Sequence, residues 1–142
     1  WLSLAAIGGA ALLLLMTPWF IWLYFNAAAR NAKDTKSKAF NSHRAVMYYL
    51  NQLGYSRTNT GPHEYAANID RKFNTGFVSF SNVYQKLKYS SLSLTTKETE
   101  TVQTFYSPFI QTVRKQVAFK TRLSKFMNIY NTIAYFTQSK NK

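Results

Sequence analysis

WLSLAAIGGAALLLLMTPWFIWLYF, residues 1–25, contains no charged side chain. At about 1.5 Å per residue, a helix of this length crosses a bilayer core of about 30 Å with some tilt. Backbone polar groups in lipid need partners within the segment, so a helix is the expected form. Aromatic rings stand at both ends, Trp1 at one and Trp19, Trp22, Tyr24 and Phe25 at the other. Amphipathic rings favour the head-group level, so this placement predicts two interfacial belts. Gly8 and Gly9 are tolerated in lipid, and Pro18 is expected to kink the helix.

Two other readings of the stretch are weaker. A core helix is rarely apolar on every side for so long. A secretory signal carries a basic segment before a shorter apolar core. Ala27-Ala28-Ala29 resembles a cleavage site, but that basic segment is missing. The chain starts at Trp1 and not at Met, and the expectation is a piece of a longer protein, starting just before its last membrane helix. Downstream, Arg30, Lys33, Lys36 and Lys38 lie close to the span with Asp34 as the one acid among them. Basic flanks stay inside, so residues 26–142 are expected in the cytoplasm.

The 142 residues hold 18 Lys plus Arg against 5 Asp plus Glu, a formal charge of +13. Such a balance favours anionic partners: lipid head groups, nucleic acid or acidic proteins. Composition alone does not choose among them; the adjoining span points to an anionic leaflet. The length suits one domain with one modest core. The absence of cysteine removes a thiol nucleophile, a thiolate zinc site and any disulfide.

The rest of the chain reads as helices. Residues 26–38 are small, polar and basic, a juxtamembrane linker or a helical extension of the span. Phe40, His43, Val46, Met47, Leu50 and Leu53 recur at 3/4 spacing, and Gly54 takes the position just past the helix end. His43 lies on that stripe and reads as a structural residue. Tyr55 to Thr60 is a polar loop. In TGPHEYAANID, residues 60–70, Gly61 reads as N-cap, Pro62 as the first helical residue and Glu64 as the carboxylate that meets free N–H groups. Tyr65, Ala66, Ile69 and Phe73 form the inner face, with Arg71 and Lys72 in the last turn. Phe77, Phe80, Tyr84 and Leu87 mark a third helix after Gly76. Thr95-Thr96-Lys97-Glu98 matches a capping box. The helix it opens carries Val102, Phe105, Phe109 and Val113 on one side with Tyr106 beside them, and Pro108 is expected to kink or split it.

The tail, residues 117–142, reads as a basic amphipathic helix. Phe119, Leu123, Phe126, Met127, Tyr130, Ile133 and Ala134 fall on one side, while Arg114, Lys115, Lys120, Arg122 and Lys125 crowd its start. Such a helix lies on an anionic membrane face or closes a bundle; closing the bundle is the plainer reading. No strand pattern is visible. The expected architecture is all-α: a membrane helix over residues 1–25, a linker over 26–38, a helical domain over 39–116 and the tail, with four to five short helices after the span.

Chemistry is sparse. His63 and Glu64 are neighbours on a helix, about 100° apart, and do not face each other. Two histidines and five acids give no clustered metal ligands, there is no Gly-rich phosphate loop, and no nucleophile stands near His43, His63 or Glu64. The expectation is a chain that is not an enzyme and needs neither metal nor cofactor. Binding is expected of Arg30, Lys33, Lys36, Lys38, Arg114, Lys115, Lys120, Arg122 and Lys125, toward anionic lipid or an acidic partner. Nucleic acid is the alternative on charge grounds, with basic and aromatic residues interleaved from Arg114 to Tyr135, but no recognition-helix signature accompanies it. Gly54, Pro62, Glu64, Tyr65, Thr95 and Glu98 are assigned to building the fold.

HRAVMYYLNQLGYSRTNTGPHEYAANI, then FVSFSNVYQKLKYSS, then LTTKETETVQTFYSPFI resembles the C-terminal uncharacterised domain of bacterial membrane-anchored transglutaminase-like proteins. The order and spacing match over residues 43–115. Gly61 stands where that family has Thr at the N-cap, and the tail after residue 116 lies outside the match. The resemblance implies a larger protein of the bacterial cytoplasmic membrane. In it, an extracytoplasmic transglutaminase- or cysteine-protease-like domain with a Cys-His-Asp triad would precede this span, and residues 26–142 would form a cytoplasmic interaction or regulatory module with a cytoplasmic partner. No triad residue carries over to this chain, which has no Cys.

Overall fold

The computed structural model describes residues 1–57 and 59–139, the last of these by backbone alone. Among them are seven helices and no strand: α1 Leu2–Asn31, α2 Thr35–Gln52, α3 Pro62–Phe73, α4 Phe77–Tyr89, α5 Thr96–Gln116, α6 Phe119–Phe126 and α7 Ile129–Ser139. The protein is all-α. Six helices follow α1, one more than expected, because the tail divides at Met127 and Asn128. The end of the expected tail region, residues 140–142, lies outside the described residues, as does residue 58 of the Tyr55–Thr60 loop.

Local chemistry explains most boundaries. Asp34 caps α2 by accepting the Ser37 N–H at 2.9 Å. Gly54 follows α2 with φ of 91°, a left-handed value that suits a residue without Cβ. Gly61 and Pro62 open α3 as expected, with Glu64 exposed in its first turn. The capping box at Thr95 and Glu98 is complete: Glu98 N–H donates to Thr95 Oγ1 at 3.2 Å and Thr95 N–H donates to Glu98 Oε2 at 2.8 Å.

Glu98 also accepts from Lys86 Nζ at 2.9 Å, which ties α5 to α4. The Lys86 hydrogen bond, then the Thr95 N–H, holds its carboxyl below the usual value of 4.5. A depressed carboxylate stabilises the fold above its unfolded pKa, and that contribution is lost as pH falls through the folded value. Thermal melts between about pH 6 and about pH 3 should therefore show an acid-side loss that Glu98→Gln reduces.

The longest departures from the sequence reading concern α1, α2 and α5. The helix α1 runs through Pro18 past Phe25 to Asn31, so the helical-extension reading of residues 26–38 holds for their first six residues. The expected linker, residues 26–38, is the end of α1, a break at Ala32–Asp34 and the first turn of α2. Ala29 within it is fully buried. Pro108 does not split α5, which runs unbroken past it. Pro108 is exposed, so its ring faces solvent and displaces no core residue.

The helix α2 was expected to be one-sided and is instead the central helix, packed by α1, α4, α5 and α7. Every residue from Tyr48 to Leu53 is buried. Its polar groups find partners there: Tyr48 OH donates to Pro18 O at 3.0 Å, Gln52 Nε2 to Phe126 O at 3.2 Å, and Asn51 Nδ2 to Asn131 O at 2.7 Å. The last two hold the break between α6 and α7, and the first ties α2 to α1. His43 packs its ring parallel to Tyr84 with centroids 3.7 Å apart, in keeping with a structural role.

Across α4 and α5 an aromatic stack forms part of the core. Phe80 and Phe105 lie parallel with centroids 4.1 Å apart, and Phe77 and Phe109 close around them. Asp70 fixes the α3–α4 junction. Its carboxylate accepts from Thr75 Oγ1 at 2.6 Å, Phe77 N–H at 2.7 Å, Val78 N–H at 2.8 Å and Thr75 N–H at 3.3 Å. Two of those donors are orphan N–H groups of the first turn of α4. Asp70→Ala should lower stability by about 2 kcal/mol, read as a shift in the denaturant midpoint in detergent.

Candidate functional site

The first half of α1 meets nothing. Leu2, Leu4, Ile7 and Leu12 to Leu15 are exposed, and an added Cβ at Gly8 or Gly9 would touch no atom. Leu2 to Leu15 therefore forms an unpartnered apolar rod about 21 Å long. One helix in the described residues is long and apolar enough to cross a membrane, and it is this one.

From Pro18 onward, α1 has two sides. Pro18, Trp22, Phe25 and Ala29 are buried in the bundle, while Trp19, Phe20, Leu23 and Tyr24 stay exposed. Trp22 lies 4.7 Å from the Tyr49 ring and Phe25 5.3 Å from Tyr48. Of the rings expected as an interfacial belt, Trp22 and Phe25 are thus core residues and Trp19 and Tyr24 face outward. The reason is the 3.6-residue period: a helix embedded along one side turns every third or fourth ring inward.

The tail flanks this root of α1. Phe126 and Thr132 are buried and Tyr135 packs on Tyr48, so the tail does close the bundle. Much of its expected apolar face is nevertheless outside. Phe119 is 67% exposed, Tyr130 83%, and Leu123, Ile133 and Phe136 are exposed too. The exposed Trp19 lines the same hollow as Phe119 and Leu123 and touches the buried Phe126, and the buried Phe25 contacts Phe136, so the tail abuts the root of α1.

The nine basic candidates do not form one surface. Lys38 turns inward and donates to Ala29 O at 2.6 Å, capping α1; burial, then Arg30, lowers its pKa. Lys125 caps α2 in the same way, donating to Leu53 O at 3.2 Å. Arg30 bonds Asn26 within its own helix and, with Lys33 and Lys36, is exposed at the far end of α1. Arg114, Lys115, Lys120 and Arg122 remain together at the α5–α6 corner. The first two are in the last turn of α5, where cations also favour the helix dipole.

At that corner a narrow cleft of about 130 Å³ opens between α1, α5 and α6, with Trp19, Trp22, Tyr49 and Phe126 as walls and Arg114 and Arg122 at its polar end. A shallow depression of about 500 Å³ adjoins it, sharing Arg114, Phe119 and Arg122 and adding Lys115. The Arg122 guanidinium lies 5.6 Å from the Phe119 ring. Its Nε is buried and has no hydrogen-bond partner among the described residues. Burial raises the Tyr49 pKa while Arg122 and Arg114 pull it back, so the hydroxyl is neutral near pH 7. No carboxylate lines either hollow.

Sequence reading named Arg114 and Arg122 but not the cleft, whose other walls come from α1 and α2. It also missed Asp70, although an acid in the last turn of a helix opposes the dipole and signals some other use. No group of three His, Cys, Asp or Glu in the described residues is placed to hold a metal. Comparison with protein-family models, curated proteins and solved structures finds no match to this chain.

Proposed function

We propose that this chain is a non-catalytic membrane anchor joined rigidly to a helical interaction module, with the module on the cytoplasmic side. The observation that carries the reading is α1 itself, one unbroken helix that leaves its first half as bare apolar surface and locks its second half into the bundle. Water disfavours such a rod, at about 25 cal/mol for each Å² of apolar surface left exposed. A bilayer removes that penalty without any partner protein.

With Trp1 at one interface, a core of about 30 Å ends about 20 residues later, at the turn of Trp19 and Leu23. The exposed rings of α6 and α7 then lie at head-group depth, and the Arg114–Arg122 corner faces an anionic leaflet. Arg30 is about 10 Å further along the axis from Leu23, beyond a Debye length of about 8 Å. Lys33 and Lys36 follow it. These residues support the orientation during insertion; the α5–α6 corner supports the lipid contact. Proximity to Trp19 also favours lipid over nucleic acid as the anion at this corner. The resemblance of residues 43–115 to the C-terminal domain of transglutaminase-like membrane proteins supports a role in coupling an extracytoplasmic enzyme to a cytoplasmic partner.

The test is topology. The chain has no Cys, so Ser93→Cys, on the exposed α4–α5 loop, gives a single thiol. An impermeant maleimide should fail to label it in intact cells and label it after permeabilisation, and the protein should resist alkaline carbonate extraction. Labelling of intact cells would put the module outside. Release by carbonate would refute the anchor.

A further inference from the structure

The cleft at the root of α1 combines three features. Two guanidinium groups, Arg114 and Arg122, face it with no carboxylate among the lining residues. The five acids of the chain all fall between Asp34 and Glu100, outside α6 and the C-terminal half of α5. One of the two guanidiniums keeps a buried Nε donor without a partner. That Nε is closed off from solvent, so an incoming anion meets the guanidinium through its outer nitrogens. The remaining walls are mostly aromatic, with Ile110 and Leu123 among them, and include two of the three tryptophans in the chain.

We infer that this cleft is a binding site for the phosphate of an anionic phospholipid, held between Arg114 and Arg122. The inference rests on the membrane reading above and adds a specific site to it. Planar guanidinium forks suit phosphate oxygens, and two of them suit a phosphodiester better than a zwitterionic head group that carries its own cation. The size agrees. A void of about 130 Å³ is room for about four waters, well below the range of about 300–1,000 Å³ that encloses a drug-sized ligand. It accepts a head-group fragment and not a whole amphiphile. The acyl chains then stay in the bilayer, beside the exposed Phe119 and Leu123. The open depression with Lys115 leaves space for the polar end of the head group. Trp19 and Trp22 form the apolar wall, as rings at head-group depth do.

The tryptophans make the site measurable. In a Trp1→Phe background the emission comes from Trp19 and Trp22, both at the cleft. The full chain is reconstituted in phosphatidylcholine vesicles containing about one tenth phosphatidylglycerol, with the bromine quencher on one lipid or the other; the ratio of quenching gives local enrichment. Enrichment of phosphatidylglycerol of roughly tenfold is expected for two basic groups at the interface, falling to near unity in Arg114→Gln/Arg122→Gln. Arg114→Lys/Arg122→Lys keeps the charge and the fold but loses the forks, and should fall between. Lys33→Gln/Lys36→Gln removes the same charge elsewhere and should leave enrichment intact.

Equal loss in the Lys33/Lys36 and Arg114/Arg122 glutamine variants would overturn the site in favour of general attraction. No enrichment in a chain that floats with the vesicles would overturn the site alone. A chain that does not enter vesicles would overturn the anchor and the site together. Abolition of enrichment by millimolar inorganic phosphate would assign the cleft to the free anion, against a lipid.

Discussion

Leu12→Lys/Leu13→Lys should release the protein from the membrane while leaving its bundle folded. Both leucines are in the middle of the bare part of α1 and more than half exposed, so neither supports the core. A lysine at the centre of a membrane helix is disfavoured by about 3 kcal/mol relative to an apolar residue, and two should shift the partition by several powers of ten. The expected result is loss from the carbonate-resistant fraction with helical content and thermal melting of residues 18–139 retained. Unchanged membrane retention would show that α1 is not the anchor. A parallel loss of fold would show that its first half is part of a core, contrary to its exposure.

Phe80→Ala should do the reverse. Phe80 is 0% exposed and stacks on Phe105 at 4.1 Å, with Phe77 beside it. Truncation removes the ring's burial and leaves a cavity among rings that are themselves held by α4 and α5, which relax little. The cost should be about 3–5 kcal/mol, a large share of the about 5–15 kcal/mol of a typical domain. Denaturant unfolding in detergent should show the midpoint fall, with carbonate resistance unchanged because α1 still partitions. The pair separates two solvents acting on one chain: lipid holds the first half of α1, and aromatic packing holds the bundle. A Phe80→Ala protein of wild-type stability would mean that the α4–α5 stack is not the centre of the core.

Much of this was legible in residues 1–142 because it depends on near neighbours. An uncharged run longer than a bilayer is thick, a Pro after a Gly, a Thr three residues before a Glu and a Gly after an apolar stripe are all read within one or two helical turns. The capping box at Thr95 and Glu98, the start of α3 at Pro62 and the end of α2 before Gly54 follow from such local rules. The sequence by itself also determined the all-α class and the side of each of α3, α4 and α5 that is apolar.

What faces what was decided by tertiary structure. Trp22 and Trp19 are three residues apart in one apolar run and both touch Phe126, yet Trp22 also packs on Tyr49 and is core while Trp19 stays exposed. Lys38 and Lys125 are basic residues like Lys115, but each reaches a helix-end carbonyl that sequence distance conceals, the second of them at Leu53. Tyr48, Asn51 and Gln52 look like the wet side of α2 until α6 and α7 return to accept or cover them. The cleft between Arg114 and Arg122 exists only because α1, α5 and α6 meet. The physical reason is the same in each case. Periodicity and capping energies act over about four residues, whereas burial and desolvation depend on partners many turns away along the chain.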